Sequence, residues 1–193
     1  MTSGRRAALS LVAALGMHCG AAAAFSAAEL MQQLAAVASS HATFVETRHS
    51  ALLKQPLVLR GTLAYRRPAS IEKHVVEPYD ERIAIDGDRL TYENSKRGRS
   101  FRTSVSGSPG LAALVEGIRA TRAGDLAALE QHYQVSVSGA AERWSMTLKP
   151  ADEEVARQVA SITVSGGGSR ISRVEVREAG GDRAVMEIRE ELR

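Results

Sequence analysis

The sequence predicts an α+β domain, mainly antiparallel β, in which a helix at the start and a helical pair midway accompany about eleven strands. Three observations carry this. From Leu57 to Tyr92 apolar and polar residues alternate through one strand after another. Glycine-bearing turns join these segments by connections too short for the crossover helices that parallel strands require. Two other stretches repeat their apolar residues at helical spacing instead.

The first helix starts at Ser26-Ala27-Ala28-Glu29, the spacing of a capping box in which serine and glutamate each satisfy a backbone amide of the other's segment. Leu30, Leu34 and Val37, widened by Met31 and Ala38, form its apolar stripe, and Ser39 and Ser40 mark its end. Strands follow at 43–48, 57–66, 71–76, 82–86, 89–93 and 100–105. In the second of these Leu57, Leu59, Gly61, Leu63 and Tyr65 share one face, while Val58, Arg60, Thr62, Ala64 and Arg66 share the other. Asp86-Gly87, between Ile83/Ile85 and Leu90/Tyr92, predicts a two-residue type I′ hairpin, because this dipeptide tolerates positive φ.

Ser108-Pro109-Gly110 then opens a helix from Leu111 to about Arg119. Leu111, Leu114, Val115 and Ile118 make its apolar stripe. Gly124 separates it from a second helix over residues 125–132, where Asp125 can cap the start and Leu126 and Leu129 face inward. The remaining strands fall at 134–138, 143–149, 160–165, 170–178 and 183–190, with turns at Gly166-Gly167-Gly168 and Gly180-Gly181-Asp182. A sheet this long curls. The space under its helices is either filled by side chains or left for a guest, and composition does not decide between them: aromatic residues are only 4% of the chain.

At the N-terminus Arg5 and Arg6 precede an apolar run from Ala7 to Met17, followed by Ala22, Ala23 and Ala24. This is the pattern of a secretory signal peptide over residues 1–24, too short to span a bilayer permanently, and the remainder, 25–193, is expected to be exported as one domain. Cys19 follows His18, a bulky residue where lipid attachment needs a small one. After cleavage no cysteine remains to form a disulfide. The formal charge of +3 suggests nucleic acid at first, but without Arg5 and Arg6 the basic and acidic residues nearly balance. Lys96-Arg97-Gly98-Arg99 with Arg102 reads as a solvated loop or, as the sharper alternative, a contact for an acidic membrane surface or partner. No nucleic-acid partner is expected.

Chemistry finds no foothold. His41, Glu46 and His49 do not share a face by local geometry, and His74 lies in another strand among Glu72, Lys73 and Glu77, so all are expected as exposed polar residues. No nucleophile elbow, phosphate loop or zinc spacing occurs. The expectation is a protein that is not an enzyme, with no metal, no cofactor and no catalytic residue. Trp144, Met146 and Leu148 alternate on one strand face, as core or as cavity lining.

Four segments carry a family resemblance. His41-Ala42-Thr43-Phe44-Val45-Glu46 follows the opening helix; Gly61 to Pro68 is a glycine-led strand ending in Arg-Pro; Glu77-Pro78 leads through Ile83 and Ile85 to Asp86-Gly87-Asp88-Arg89-Leu90-Thr91-Tyr92; and Leu148-Lys149-Pro150 precedes the closing hairpins. In order and spacing these resemble the LolA family of periplasmic carriers of outer-membrane lipoproteins. The resemblance implies an incomplete, half-open β-barrel whose mid-chain helices form a lid over an acyl-chain cavity. It further implies a monomer that takes lipoproteins, or other acylated lipid cargo, from an inner-membrane exporter to an outer-membrane acceptor. Other readings are a carrier of a glycolipid or other lipid-linked molecule in a dedicated export pathway, and a periplasmic interaction module that transports nothing.

On this resemblance the cavity lining is expected from Leu57, Leu59, Leu63, Tyr65, Ile71, Ile83, Ile85, Leu90, Tyr92, Trp144, Met146 and Leu148. Leu111, Leu114, Val115 and Ile118 would form the lid underside, and Arg67 resembles the family arginine that latches the lid. Ile71 and Thr91 stand where the family often has aromatic residues. The physical demand is plain: at ~0.8 kcal/mol per methylene, a chain of about sixteen carbons exposes on the order of 12 kcal/mol of apolar surface on leaving a bilayer.

Overall fold

The computed structural model describes residues 25–190, so the expected signal peptide and Cys19 lie outside the described residues. Eleven strands make one antiparallel sheet: β1 (Ser39–His49), β2 (Leu57–Arg66), β3 (Ser70–Glu77), β4 (Glu81–Asp86), β5 (Arg89–Asn94), β6 (Arg99–Ser104), β7 (Tyr133–Ala140), β8 (Arg143–Pro150), β9 (Val159–Gly167), β10 (Arg170–Glu178) and β11 (Arg183–Glu190). Their spatial order is β6-β5-β4-β3-β2-β1-β11-β10-β9-β8-β7. The chain therefore builds two meanders, joins them where β1 pairs with β11, and leaves β6 and β7 as unpaired edges. The sheet is an unclosed barrel. Getting from edge β6 to edge β7 requires a long connection, and the helical pair is that connection.

Helix α1 (Ala27–Ala35) starts with the expected capping box: Ser26 Oγ accepts from the Glu29 amide at 3.2 Å, and the Glu29 carboxylate accepts from the Ser26 amide at 2.7 Å. It ends earlier than expected, because Ser39 and Ser40 are already strand residues paired with Arg66 and Tyr65. Helix α2 (Pro109–Ala123) is longer than expected, running to Gly124, whose φ of 71° caps it. A Cβ there would collide with the Met31 carbonyl, so Gly124 also lets α2 pass close to α1. Helix α3 (Leu126–His132) is capped by Asp125, which accepts from the Ala128 amide at 3.0 Å. Two short elements had no signal in the periodicity: a 3₁₀ turn at Ser95–Arg97 and α4 (Glu153–Ala156), capped by Asp152.

The β4–β5 hairpin differs by one place from the expected type I′ turn. Asp86 pairs with Arg89, so the turn residues are Gly87 and Asp88, and only Gly87 has positive φ. Asp88 is placed by its side chain, which accepts from the Ser106 amide at 2.8 Å and from the hydroxyl of Ser104. Gly61 sits beside a register shift between β2 and β3, where a Cβ would collide with the His74 carbonyl and the Phe44 ring.

The apolar interior is divided. One cluster joins α1 (Leu30, Met31, Leu34) and α3 (Leu129) to Tyr133, Trp144, Met146, Leu148, Ile162 and Val164 of β7–β9. A second joins Ile85, Leu90 and Val105 to Val115 of α2, and a third holds Phe44, Leu59 and Val75. A filled domain of this size normally has one contiguous core. Here α1 and α3 pack on the β7–β9 end of the sheet, while α2 reaches from that cluster, through Ala120, across to Ile85 and Leu90 of β4 and β5.

Candidate acyl-chain cavity

Register decides which side chains face inward. Even-numbered residues of β1 lie opposite odd-numbered residues of β2 and even-numbered residues of β11, and the same phase carries through the odd residues of β3 and β4 and the even residues of β5 and β10. The expected apolar face of β2 is thus the concave one. Its rungs run Ala42, Leu63, Lys73, Ile83 in one row and Ser40, Tyr65, Ile71, Ile85, Leu90 in the next.

Between the three clusters lies a cavity of about 810 Å³, within the ~300–1,000 Å³ range of small-molecule sites. From Ser40 to Arg48 its wall follows ~26 Å of strand at 3.2–3.4 Å per residue. One bilayer leaflet of hydrocarbon is ~15 Å thick, half of the ~30 Å core, so a chain that fits a leaflet fits this length. One end lies beneath α2, and the other opens between the β1–β2 connection and the β10–β11 turn, at Ser50, Leu52, Leu53 and Asp182. Leu52, on that rim, is 93% exposed. A second depression, about 690 Å³, runs along the β4–β5 turn between Asp86–Arg89 and Arg102–Ser104, but it is shallow and polar and offers hydrocarbon no shelter.

Of the residues the sequence singled out, Leu57, Leu63, Tyr65 and Ile71 are on the cavity wall, as are Ile83, Ile85, Leu90 and Leu148. Leu59, Tyr92, Trp144 and Met146 are not. Leu59 is packed with Phe44 and Val75, and Tyr92 stacks on Phe101 with ring centroids 4.9 Å apart. Trp144 and Met146 are buried under α1 and α3, and the Trp144 indole donates to the Gly168 carbonyl at 2.9 Å. Leu111, Leu114, Val115 and Ile118 of α2 all face the cavity. Wall residues not expected from the sequence come largely from the far meander: Ile162, Val164, Val174 and Val176, with Met186 and Ile188. Alternation in β10 and β11 was the available signal.

Arg67 donates to the Ala35 carbonyl, so it ties the C-terminal end of α1, not the helix over the cavity. Helix α2 is tied by other arginines. Arg119 donates to the Gly87 carbonyl of the β4–β5 turn. Arg122, only 9% exposed, donates to the Ser40 hydroxyl, pairs with Glu190 at 3.3 Å and lies over the Tyr65 ring at 5.1 Å. Near this end the buried hydroxyls of Tyr65 and Thr121 have no hydrogen-bond partner among the described residues.

The wall also holds charge. Glu46, expected at the surface, is 2% exposed because β1 turns its even residues inward. Both of its oxygens are used, one by Arg48 Nε at 2.5 Å and one by Lys73 Nζ. Burial opposes its ionisation, but Lys73 and Arg48 overcome that and hold the carboxyl below its ordinary range. Burial in turn lowers the Lys73 ammonium from its usual value, with Glu46 opposing. His41 and His49 are exposed, and His74 pairs with Asp80 at 2.9 Å. Among the described residues no group of three or more His, Cys, Asp or Glu side chains can hold a metal, and no helix is long and apolar enough to cross a membrane.

The model of the outer membrane lipoprotein carrier protein LolA-like family matches residues 19–187. The chain belongs to that family. No curated protein matches this LolA-like sequence. Among solved structures it is similar to a LolA superfamily protein from Nitrosomonas europaea, with 13% identity and a TM-score of 0.47 over 88% of this chain and 94% of that one. It is also similar to a putative outer membrane lipoprotein-sorting protein domain from Vibrio parahaemolyticus, with 10% identity and a TM-score of 0.45 over 85% and 92% of the two chains. The MucA/MucB complex of Pseudomonas aeruginosa matches at 10% identity and a TM-score of 0.42, this chain covering 57% of that one.

Proposed function

We propose that this LolA-like protein is a periplasmic carrier that shelters acyl chains of lipoproteins as they pass from the inner to the outer membrane. The observation that carries the reading is the unfilled, aliphatic-lined space of about 810 Å³ between the β1–β5 wall and α2. A sixteen-carbon chain leaving a bilayer needs on the order of 12 kcal/mol of apolar contact restored, and a preformed aliphatic wall restores it without directional demands. Release then requires only that α2 move, since the sheet beneath is held by its own ladder. Arg119 and Arg122 act on that step as the ties of α2 to the sheet.

Native mass spectrometry of protein purified from the periplasm tests the reading. A bound lipoprotein, or the adduct of an acylated lipid that follows the protein through purification, is the expected result. Protein that is always recovered bare, and that also fails to take up an acyl probe in solution, would remove the carrier reading and leave the interaction module.

A further inference from the structure

The cavity wall carries two cations and one carboxylate where a carrier of plain hydrocarbon needs none. Glu46 sits on the inward face of β1 with Arg48 two residues on and Lys73 reaching across from β3, and all three line the cavity. The carboxylate is 97% withdrawn from solvent at its side chain, whereas Lys73 keeps 20% and Arg48 51% of theirs exposed. Lys73 Nζ is further fixed 5.1 Å from the centroid of the buried Phe44 ring. Arg48 spends only Nε on Glu46, and its two terminal nitrogens make no hydrogen bond among the described residues. Lys73 has one partner for three N–H groups.

Of the other charges on the wall, those beneath the helix and on β3 are paired elsewhere. Arg122 is paired with Glu190, and Glu72 with Arg82 at 3.5 Å. Glu178, Asp182 and Arg183, at the β10–β11 turn on the rim, together carry one net negative charge, and Glu81, one strand over from Lys73 and off the cavity wall, accepts from Asn94 at 3.5 Å and attracts Lys73 from outside the cavity. Hydrocarbon laid over the triad would strip water from the two cations with no partner offered in exchange. An oxyanion in the same place would instead meet the unspent N–H donors of two cations that share a single carboxylate. Resting on the carrier reading, we infer that the cargo is an anionic amphiphile whose carboxylate or phosphate is bound by Arg48 and Lys73 while its chain lies along the aliphatic wall toward α2.

Delipidated protein titrated with the fluorescent polyene fatty acid cis-parinaric acid, and with its methyl ester, measures the contribution of the charge directly. The acid is expected to bind at least about tenfold tighter than the ester, matching one charge-assisted hydrogen bond. Arg48→Gln, at a half-exposed position, removes one of the two cations and should bring acid and ester to near parity; Arg48→Lys should restore the preference. Glu46→Gln combined with Lys73→Met and Arg48→Gln gives a neutral triad if the single variant folds poorly, and it should bind both probes alike. Vesicles of phosphatidylglycerol against phosphatidylcholine, which share the phosphodiester and differ in net headgroup charge, show whether a phospholipid can supply the anion, since a site that takes a net negative headgroup extracts the former preferentially. Equal binding of acid and ester together with equal extraction of the two phospholipids, or a preference for the anionic forms that survives loss of all three charges, overturns the inference and leaves the carrier intact. Failure of every probe to bind removes the carrier reading itself.

Discussion

Val174→Trp tests whether the interior is empty where the structure places its cavity. Val174 lies on β10 between Val164 of β9 and Met186 of β11, and all three face the cavity. An indole in place of an isopropyl group would extend into the empty volume and take the place of roughly four methylenes of a bound chain. At ~0.8 kcal/mol each, the lost contact is about 3 kcal/mol, or roughly a hundredfold in affinity. The fold should tolerate the ring, because overpacking costs of ~1–3 kcal/mol arise in filled cores. The assay pairs a dissociation constant for a fluorescent acyl probe with a denaturant midpoint. Weakened binding at an unchanged midpoint is the expected outcome. A midpoint lowered as far as in a filled core, or native stability with undiminished affinity, would mean that no chain lies there and refute the reasoning.

Trp144→Ala should do the opposite, costing about 3–5 kcal/mol of stability because the side chain is 1% exposed beneath α1 and α3, with little effect on the affinity of protein that remains folded. Arg119→Met removes the bond from α2 to the Gly87 carbonyl; a charged hydrogen bond is worth about 1.5–3 kcal/mol, so stopped-flow release of probe should quicken by tenfold or more, while Arg67→Leu, acting on α1, should leave release unchanged. Because the folded protein depresses the Glu46 carboxyl below its ordinary 4.5, the stability that this group supplies is complete above that pH and is lost as pH falls through the lower folded value. Urea midpoints measured from pH 6 to pH 3 should therefore fall less steeply in Glu46→Gln than in wild type.

Much of the wall was legible in the chain. Alternation from Leu57 to Leu90 set the phase of four strands, and a single correct phase places every inward residue, since the period is two. Ser26 with Glu29, and Asp125, marked the helix starts because their side chains satisfy orphan amides within three residues, a purely local effect. What was not legible depends on distant partners. Trp144, Met146 and Leu63 have the same alternation, yet the first two are covered by α1 and α3 while Leu63 is left facing space. Glu46 was expected at the surface because local geometry gives it no common face with His41 and His49, and its partner Lys73 lies 27 residues away, out of reach of any local rule. Arg67 bonds to the carbonyl end of α1, and which helix an exposed arginine reaches follows from packing that periodicity does not encode. The Asp86-Gly87 turn slipped by one because Asp88 is held by Ser104 and Ser106, one strand further on.

Crystals grown with a fatty acid brominated near mid-chain would locate the cargo by the scattering of the bromine atoms. The account places bromine between Leu63 and Ile85 on one side and Val174 on the other, beneath Leu114 of α2. Bromine found only outside the sheet, with aliphatic side chains closed over that space, would contradict it.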